Sequence, residues 1–496
     1  MQGAAMKNSS SAAPIIVWFR SDLRLSDNPA LHAATEAGSP VVCLYVHEKP
    51  QHDLRPPQGA ALWWQHGSLA NLNQSLKKHG GCLHALAGHA GEIVEALAET
   101  VGARGVYWNR RYDPAGRDVD TRIKTRLRER GRVVESFNAS LLHEPWTILN
   151  RAGSPFRVFT PYWAEGLRQG DPESPLPGPK KIQFASLPGP LAERFRYPAG
   201  LDPDPQDPDW AATMRELRPR GEEGAQQRLE AFLDEGLNGY ADNRDRLDRQ
   251  ATSRLSPYLR FGNISVRQIW HAMVARQHAG ALKAMNRDIE KFKSELGWRE
   301  FSYSLLYHAP ALHRQNIQPS FDAMPWRRDK AALQAWQRGR TGYPVVDAAM
   351  RELWATGSMH NRARMIVGSF LVKHLLIDWR EGESWFWNTL VDADPANNPA
   401  SWQWVAGTGA NAAPYFRILN PILQGEKFDP DGAYVKRWLP ELAKLPGGVV
   451  HHPWTASAVE LHDAGISLGD DYPHPIVDHD AARKRALATW KSMRGS

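Results

Sequence analysis

Cysteine is nearly absent: the 496 residues hold two, Cys43 and Cys82. Two thiols can build neither a disulfide framework nor a cysteine zinc site. Each falls in a hydrophobic run that reads as a strand, so both are expected to be buried and reduced, and the expected location is cytoplasmic. Long apolar runs are missing too. None approaches the ~20 residues that span a bilayer. The Ser/Ala-rich start, residues 1–13, lacks the apolar segment of a secretory signal and reads as a disordered leader. There is no G-x-S-x-G, no P-loop and no H-E-x-x-H, which removes the hydrolases and NTPases that those motifs build. The first strand-like run leads into Arg20-Ser-Asp22-Leu-Arg24 rather than G-x-G-x-x-G, so a classical NAD site is unsupported. The 19 histidines are scattered, and His451-His452 lies in a proline-flanked loop, so no metal is expected.

The net charge of +7 and pI of about 9.3 suit a polyanionic partner without requiring one. In the first third, short apolar runs (Ile15–Phe19, Val41–Val46, Cys82–Ala87, Gly105–Trp108, Val133–Phe137) alternate with helical patterns (Ala60–Lys78, Glu92–Val101, Asp118–Arg130). Such alternation means βαβ units, so residues 14–145 read as a doubly wound α/β domain with a parallel sheet. A ligand could sit in the crevice at the carboxyl edge of that sheet. Residues 146–215 read as a connector, because segment 171–209 carries 10 of the 36 prolines and cannot be regular helix. Residues 216–490 read as all-helical, with patterns that include Ile289–Tyr307, Tyr343–Thr356 and Met359–Trp379.

Tryptophan is what the chain has in excess: nine of its 20 lie between Trp298 and Trp404. Leucine fills a core with no N–H to satisfy, so packing alone rarely needs that density. Core residues, an aromatic cofactor and stacked bases are all open readings. The run Ser401-Trp402-Gln403-Trp404 follows Asp392-Ala-Asp394-Pro-Ala-Asn397-Asn398. On a helix, Asn361, Arg364, Met365 and Gly368 share one face, a poor core face suited to a polar aromatic ligand or, alternatively, to a structural pair between Arg364 and a carboxylate such as Asp392. Glu295, Trp298 and Arg299 share another, where a heterocycle could be stacked and hydrogen-bonded, although such triplets occur on many exposed faces. Thr252-Ser-Arg254-Leu-Ser256 offers hydroxyls and a guanidinium before a helical pattern, either for phosphate or for plain N-capping.

At these residues the chain resembles the DNA photolyase/cryptochrome family, most of all its bacterial cyclobutane pyrimidine dimer photolyases of class I or the related class III. The likeness runs from Val17-Trp-Phe-Arg20-Ser-Asp22 to Pro473-His-Pro-Ile-Val-Asp478-His479. It is most specific at Trp298-Arg-Glu-Phe301, Thr341-Gly-Tyr-Pro344, Met359-His-Asn-Arg362, Asp378-Trp-Arg-Glu-Gly382, Trp402-Gln-Trp404 and Ala413–Pro421. The resemblance implies an α/β antenna domain joined by a long connector to a helical domain that holds FAD. It implies a reduced, excited flavin that passes an electron to a pyrimidine dimer flipped out of UV-damaged DNA. A monomer with no membrane contact is expected.

Carried over by position, Tyr240, Thr252, Ser253, Arg254, Leu255 and Ser256 resemble the FAD phosphate and ribose cradle. Arg364 and Asp392 resemble the ion pair beside the isoalloxazine, Asp394 the residue at its pyrimidine edge, and Asn398 the residue facing flavin N5. Glu295, Trp298, Asn361, Met365 and Trp404 resemble the dimer pocket, with Arg299 beside them, and Arg244 and Arg362 resemble phosphate contacts. Trp402, Trp379 and Trp326 resemble the proximal, middle and surface members of an electron-hopping chain. Asn398 is neutral and can face a negative reduced flavin without repelling it. Two residues depart from the pattern: Phe292 replaces a flavin-side tryptophan, and Ser358 replaces one often found before Met-His-Asn. Enzymes for the 6-4 photoproduct use histidines where this chain has Asn361 and Met365, and splitting a cyclobutane needs no general acid, so cyclobutane dimers are the expected substrate. About 17 residues follow His479, too few for a cryptochrome signalling tail. The Asn109–Asp118 segment is shorter than the folate-binding version, which leaves a second antenna chromophore open as a folate, a deazaflavin, a flavin or none.

Overall fold

The structure is a computed structural model that describes residues 12–50, 53–198, 200–201, 211, 213–214, 219–278, 283–411, 414–415 and 417–495. Nearly all of the expected leader lies outside the described residues, as do parts of the connector between 202 and 218 and of the Ala413–Pro421 motif. Strands β1 (Ile15–Phe19), β2 (Val41–Glu48), β3 (Leu83–Gly88), β4 (Gly105–Asn109) and β5 (Val133–Phe137) form one parallel sheet in the order β3-β2-β1-β4-β5. Helices α1 (Pro29–Glu36), α2 (Gly59–Lys78), α3 (Ala90–Thr100) and α4 (Pro114–Glu129) make the crossovers. The central strands match the apolar runs because parallel strands covered on both faces must be apolar throughout, whereas the edge strand β5 buries Val134 and leaves Val133 and Glu135 exposed. Cys82 differs from expectation. It precedes β3 and is only half-buried, since the ladder begins with Cys43 opposite Leu83. Cys43 is buried, which pushes its thiol up.

Alternate side chains of β1 feed two cores. Ile16 and Trp18 pack with Ile93 and Leu97 of α3 and with Ile123 and Leu127 of α4. Ile15, Val17 and Phe19 face a second core that continues into the helical part as far as Phe292, Trp379 and Trp402. The seam is sealed by buried charge. Arg24, 1% exposed, donates to the carbonyl oxygens of Asp27, Ala139 and Gly262, and Arg267 pairs with buried Asp27 at 2.7 Å.

The helical part contains the long helix Lys283–His308 and the helices Pro344–Thr356, Asn361–Ser369, Trp379–Thr389 and Asn397–Ala406. The single helix expected over Met359–Trp379 is broken. Asn361–Ser369 widens into a π turn at Phe370–His374, Leu376 takes φ +55°, and Asp378 caps a new helix by accepting the Arg380 N–H at 3.0 Å. Residues 370–377 are all buried, so the apolar pattern gave no stop signal. The connector also holds helix. Phe159–Arg168 docks on the long helix at Gly297, where a Cβ would lie 2.6 Å from the Trp163 ring. The proline-rich stretch, expected to exclude regular helix, forms one turn at Gly189–Arg194 with proline in its first turn, where a missing N–H costs nothing. Among the described residues no helix is long and apolar enough to cross a membrane.

Candidate active site

A cavity of about 840 Å³ opens between the long helix and the helices that follow it. All the residues expected to hold cofactor or substrate line it, from Tyr240 and Thr252–Ser256 through Phe292, Glu295, Trp298 and Arg364 to Asp392, Asn398 and Trp404. Trp402 also reaches its wall, whereas Trp379 and Trp326 lie off it.

One end is cationic and rich in hydroxyls. Arg254 takes φ +53° in the bend before the helix Ser256–Arg260. No hydroxyl caps that helix: its N-cap is Leu255, and Ser253 Oγ accepts only a long bond from the Leu255 N–H at 3.4 Å. The N-capping alternative therefore falls, and the hydroxyls stay available to a ligand. Burial, then the neighbouring Arg228 and Arg437, lower the Arg254 pKa. Among the described residues no carboxylate ion-pairs with it, a setting that suits a diphosphate.

The other end is built from acid–base pairs. Arg364 Nη2 donates to Asp392 at 2.8 and 3.1 Å, and its Nε donates to the Met359 carbonyl at 2.9 Å. Asp394 Oδ1 accepts from the backbone of Ala396 and Asn397 and from the Asn397 side chain, and Oδ2 accepts from the Tyr303 hydroxyl at 2.7 Å. Asp394 is thus held rigidly with little acceptor capacity to spare. The Asn398 amide gives both N–H groups to Glu383, to its carbonyl oxygen and to Oε1, each at 3.0 Å. Two acceptors on that side fix where the nitrogen lies and turn Oδ1 toward the cavity.

The substrate-side residues are engaged with one another. Glu295 ion-pairs with Arg244 and, at 3.1 Å, with Lys291. Arg362 ion-pairs with Asp245 and lies 4.5 Å over the Phe428 ring. The two arginines expected at phosphates therefore sit half-buried beside carboxylates of the chain. Arg299, expected beside the substrate, donates to the Ser140 carbonyl at 2.7 Å and contacts Glu300, so it also pins the domain seam. Trp298 stacks on Phe159 at 3.8 Å between centroids and 8° between planes, which covers one indole face with a connector residue. Asn361, Met365 and Trp404 keep part of their surface toward the cavity.

Trp402 is 3% exposed, and among the described residues its N–H has no hydrogen-bond partner. Its ring packs on Phe386 at 5.0 Å and edge-on to Trp336 at 6.2 Å, and it presses on the bare Cα of Gly382. Gly368 was expected to let a ligand approach. It lines the cavity, and a Cβ there would meet Val405 at 3.0 Å and Trp402 at 3.5 Å, so its bareness also serves packing. Trp379 is fully buried and donates to Asn316 Oδ1 at 2.9 Å. Trp326 is half-buried against the same core.

Sequence reasoning missed Glu352, Tyr434, Arg437 and Trp336. The first three line the cavity, and the Tyr434 hydroxyl donates to Glu352 at 2.6 Å. Burial raises the Glu352 carboxyl. Their helices show ordinary amphipathic patterns, and nothing local marks them. A smaller cavity of about 130 Å³ lies at the carboxyl edge of the sheet, with Arg20, Arg111 and Tyr112 on its wall. Its charges are paired internally: Arg20 with Asp120 at 2.6 Å, Arg110 with Glu144, and Arg111 with Glu48. This crevice is much smaller than the main cavity. Among the described residues no group of His, Cys, Asp and Glu side chains could hold a metal.

A sheet domain sharing its core with a helical domain, and a long cavity running from an arginine that no carboxylate ion-pairs among the described residues to an Arg–Asp pair, define a protein that holds an extended dinucleotide cofactor. The family signature described as DNA photolyase matches residues 15–180, and the one described as FAD binding domain of DNA photolyase matches residues 292–492. A deoxyribodipyrimidine photo-lyase of Agrobacterium fabrum is 50% identical over 98% of this chain and 99% of its own. The crystal structure of a class III photolyase from Agrobacterium tumefaciens matches with a TM-score of 0.92 and 48% identity, covering 99% of this chain and 100% of that one. Cryptochrome-1 of Arabidopsis thaliana is 41% identical over 96% of this chain and 70% of its own. The chain belongs to the DNA photolyase/cryptochrome family.

Proposed function

We propose that this protein uses light to split cyclobutane pyrimidine dimers in DNA, by electron transfer from reduced FAD to a dimer flipped into the cavity. One observation carries the reading: the residues suited to a flavin and those suited to a base pair line the same cavity of about 840 Å³, so cofactor and lesion would meet with no protein between them. FAD, when bound, absorbs the light and supplies the electron.

The chain's own residues do the rest. Arg254 with Thr252 and Ser253 holds the diphosphate, and the Arg364–Asp392 pair orients the ring edge. Asn398 offers a neutral oxygen and so adds no negative charge beside a reduced ring. Glu295 accepts hydrogen bonds from the bases as Arg244 swings toward phosphate, and Trp404 and the open face of Trp298 stack on the lesion. Met365 carries no proton, and burial lowers the pKa of the nearby His360 to about 4, so neither supplies an imidazolium to the lesion, as suits a cyclobutane ring. Oxidised Trp402 has no acceptor for its proton. Its positive charge moves on through Trp379, whose N–H faces a neutral amide oxygen and whose ring lies 4.8 Å from the Arg380 guanidinium, a neighbour that disfavours a charge resting there, to Trp326 at the surface. Each chain carries a whole cavity, so the protein works as a monomer, and its free cysteines suit the cytosol.

The test is illumination of the reduced protein with separate cyclobutane and 6-4 substrates. Restoration of the cyclobutane substrate alone is expected. Restoration of the 6-4 substrate overturns the specificity, and restoration of neither points to a photoreceptor on the same fold.

A further inference from the structure

Arg55 lies between β2 and α2 in the sheet domain, yet its side chain reaches a helix of the other domain. Its Nη1 and Nη2 donate to Oε1 and Oε2 of Glu383, each at 2.9 Å, in a two-pronged fork. The Trp387 ring lies 4.0 Å from the guanidinium carbon and backs it. The Glu383 side chain is 4% exposed, and Arg55 is its only ion-pair partner among the described residues. Glu383 in turn takes both N–H groups of Asn398. A relay thus runs from the sheet domain, through one buried carboxylate, to the amide at the cavity.

Resting on the FAD reading above, we infer that Arg55 is a positioning residue that acts through Glu383 to hold the Asn398 amide with its oxygen toward the flavin N5. The chemistry gives that orientation a direction. Oxidised flavin N5 accepts a hydrogen bond, whereas reduced N5 carries a hydrogen and donates one, so an amide oxygen facing N5 favours the reduced ring. Burial pushes the Glu383 carboxyl up, and the Arg55 fork is the main influence pulling it back. Without Arg55 the carboxylate loses its one ion-pair partner among the described residues and is no longer held against the Asn398 amide. Asn398 can then rotate and present N–H to N5.

The test compares dark reoxidation of the photoreduced holoenzyme in air for wild type, Arg55→Gln, Arg55→Lys and Glu383→Gln, together with FAD retention and the melting curve. Arg55→Gln is expected to speed reoxidation about threefold or more, the factor set by one ordinary hydrogen bond. Arg55→Lys, which keeps the charge but loses the fork, should fall between, and Glu383→Gln should resemble Arg55→Gln. In an Asn398→Ala background Arg55→Gln should add nothing, because the two residues act in series. Unchanged reoxidation in Arg55→Gln, or an equal increment without Asn398, overturns the inference. If Arg55→Gln does not fold, Arg55→Lys and Glu383→Gln decide in the same way. A wild-type protein that binds no FAD overturns the underlying reading before any variant is compared.

Discussion

Replacing Gly382 by alanine tests whether Trp402 is locked by the helix beneath it. An alanine Cβ there would stand 2.5 and 2.6 Å from Cζ3 and Cζ2 of the Trp402 ring, and closer still to Cη2. Carbon atoms in contact sit about 3.5–4.0 Å apart, so either the ring or the helix must move by about 1 Å or more. Two effects oppose each other. Glycine to alanine inside a helix stabilises by about 0.8–1 kcal/mol, while overpacking a core costs about 1–3 kcal/mol. The clash wins, with a net loss of roughly 0–2 kcal/mol, where helix propensity alone predicts a gain. Urea unfolding followed by far-ultraviolet circular dichroism reads the sign. The displaced indole should also slow light-driven reduction of oxidised FAD, while chemically pre-reduced enzyme repairs as before. A stabilised variant with unchanged photoreduction would refute the reasoning, because Trp402 would then not be held where the structure puts it.

Trp326→Phe should block photoreduction and spare repair by pre-reduced enzyme; loss of both would remove Trp326 from the hopping chain. Glu295→Ala should weaken binding of dimer-containing DNA about tenfold, the scale of one hydrogen bond to a charged group. It also frees Arg244, so binding to undamaged duplex should hold or rise in a gel-shift titration, and equal loss on both DNAs would mean that Glu295 acts only through the fold. Glu300 accepts the backbone N–H groups of Leu142 and His143 at the seam, and burial pushes its carboxyl up to about 7 against the pull of Arg299. The folded chain therefore keeps this proton longer than the unfolded chain, and the stability it contributes is present below about pH 4 and lost as pH rises to about 7. Glu300→Gln does not titrate, so its stability relative to wild type should climb by on the order of 3 kcal/mol over that window. A flat difference in urea unfolding across pH would show that Glu300 is not buried as described.

What was legible in the chain depended on range. The inner strands could be read because a parallel strand covered on both faces is apolar along its whole length. The half-exposed edge strand Val133–Phe137 could be read from its two valines and phenylalanine, and the face shared by Asn361, Arg364 and Met365 from helical spacing. The break at Phe370–Asp378 stayed hidden because its residues are as apolar as the helix before them. Arg364 and Asp392 pair across 28 residues as the family resemblance implied, whereas spacing alone does not single out Asp392 from Asp378, Glu381, Glu383 and Asp394. Arg244 with Glu295, Arg362 with Asp245, and Arg55 with Glu383 across 328 residues depend on tertiary approach, for which no spacing rule exists. The positive φ of Arg254 was equally hidden, since arginine gives no sign of the left-handed region that glycine advertises.

Phe159 stacked on Trp298, with Trp163 filling the notch at Gly297, restricts how this chain can be recombined. A chimera that joins the helical domain to a foreign sheet domain must bring the Phe159–Arg168 helix with it, or one face of the Trp298 indole opens to water. If Trp298 stacks on the lesion as proposed, a library that varies residues 146–215 to improve expression would also be sampling DNA recognition. Any survivor of such a screen should be scored on damaged DNA before its yield is taken as progress.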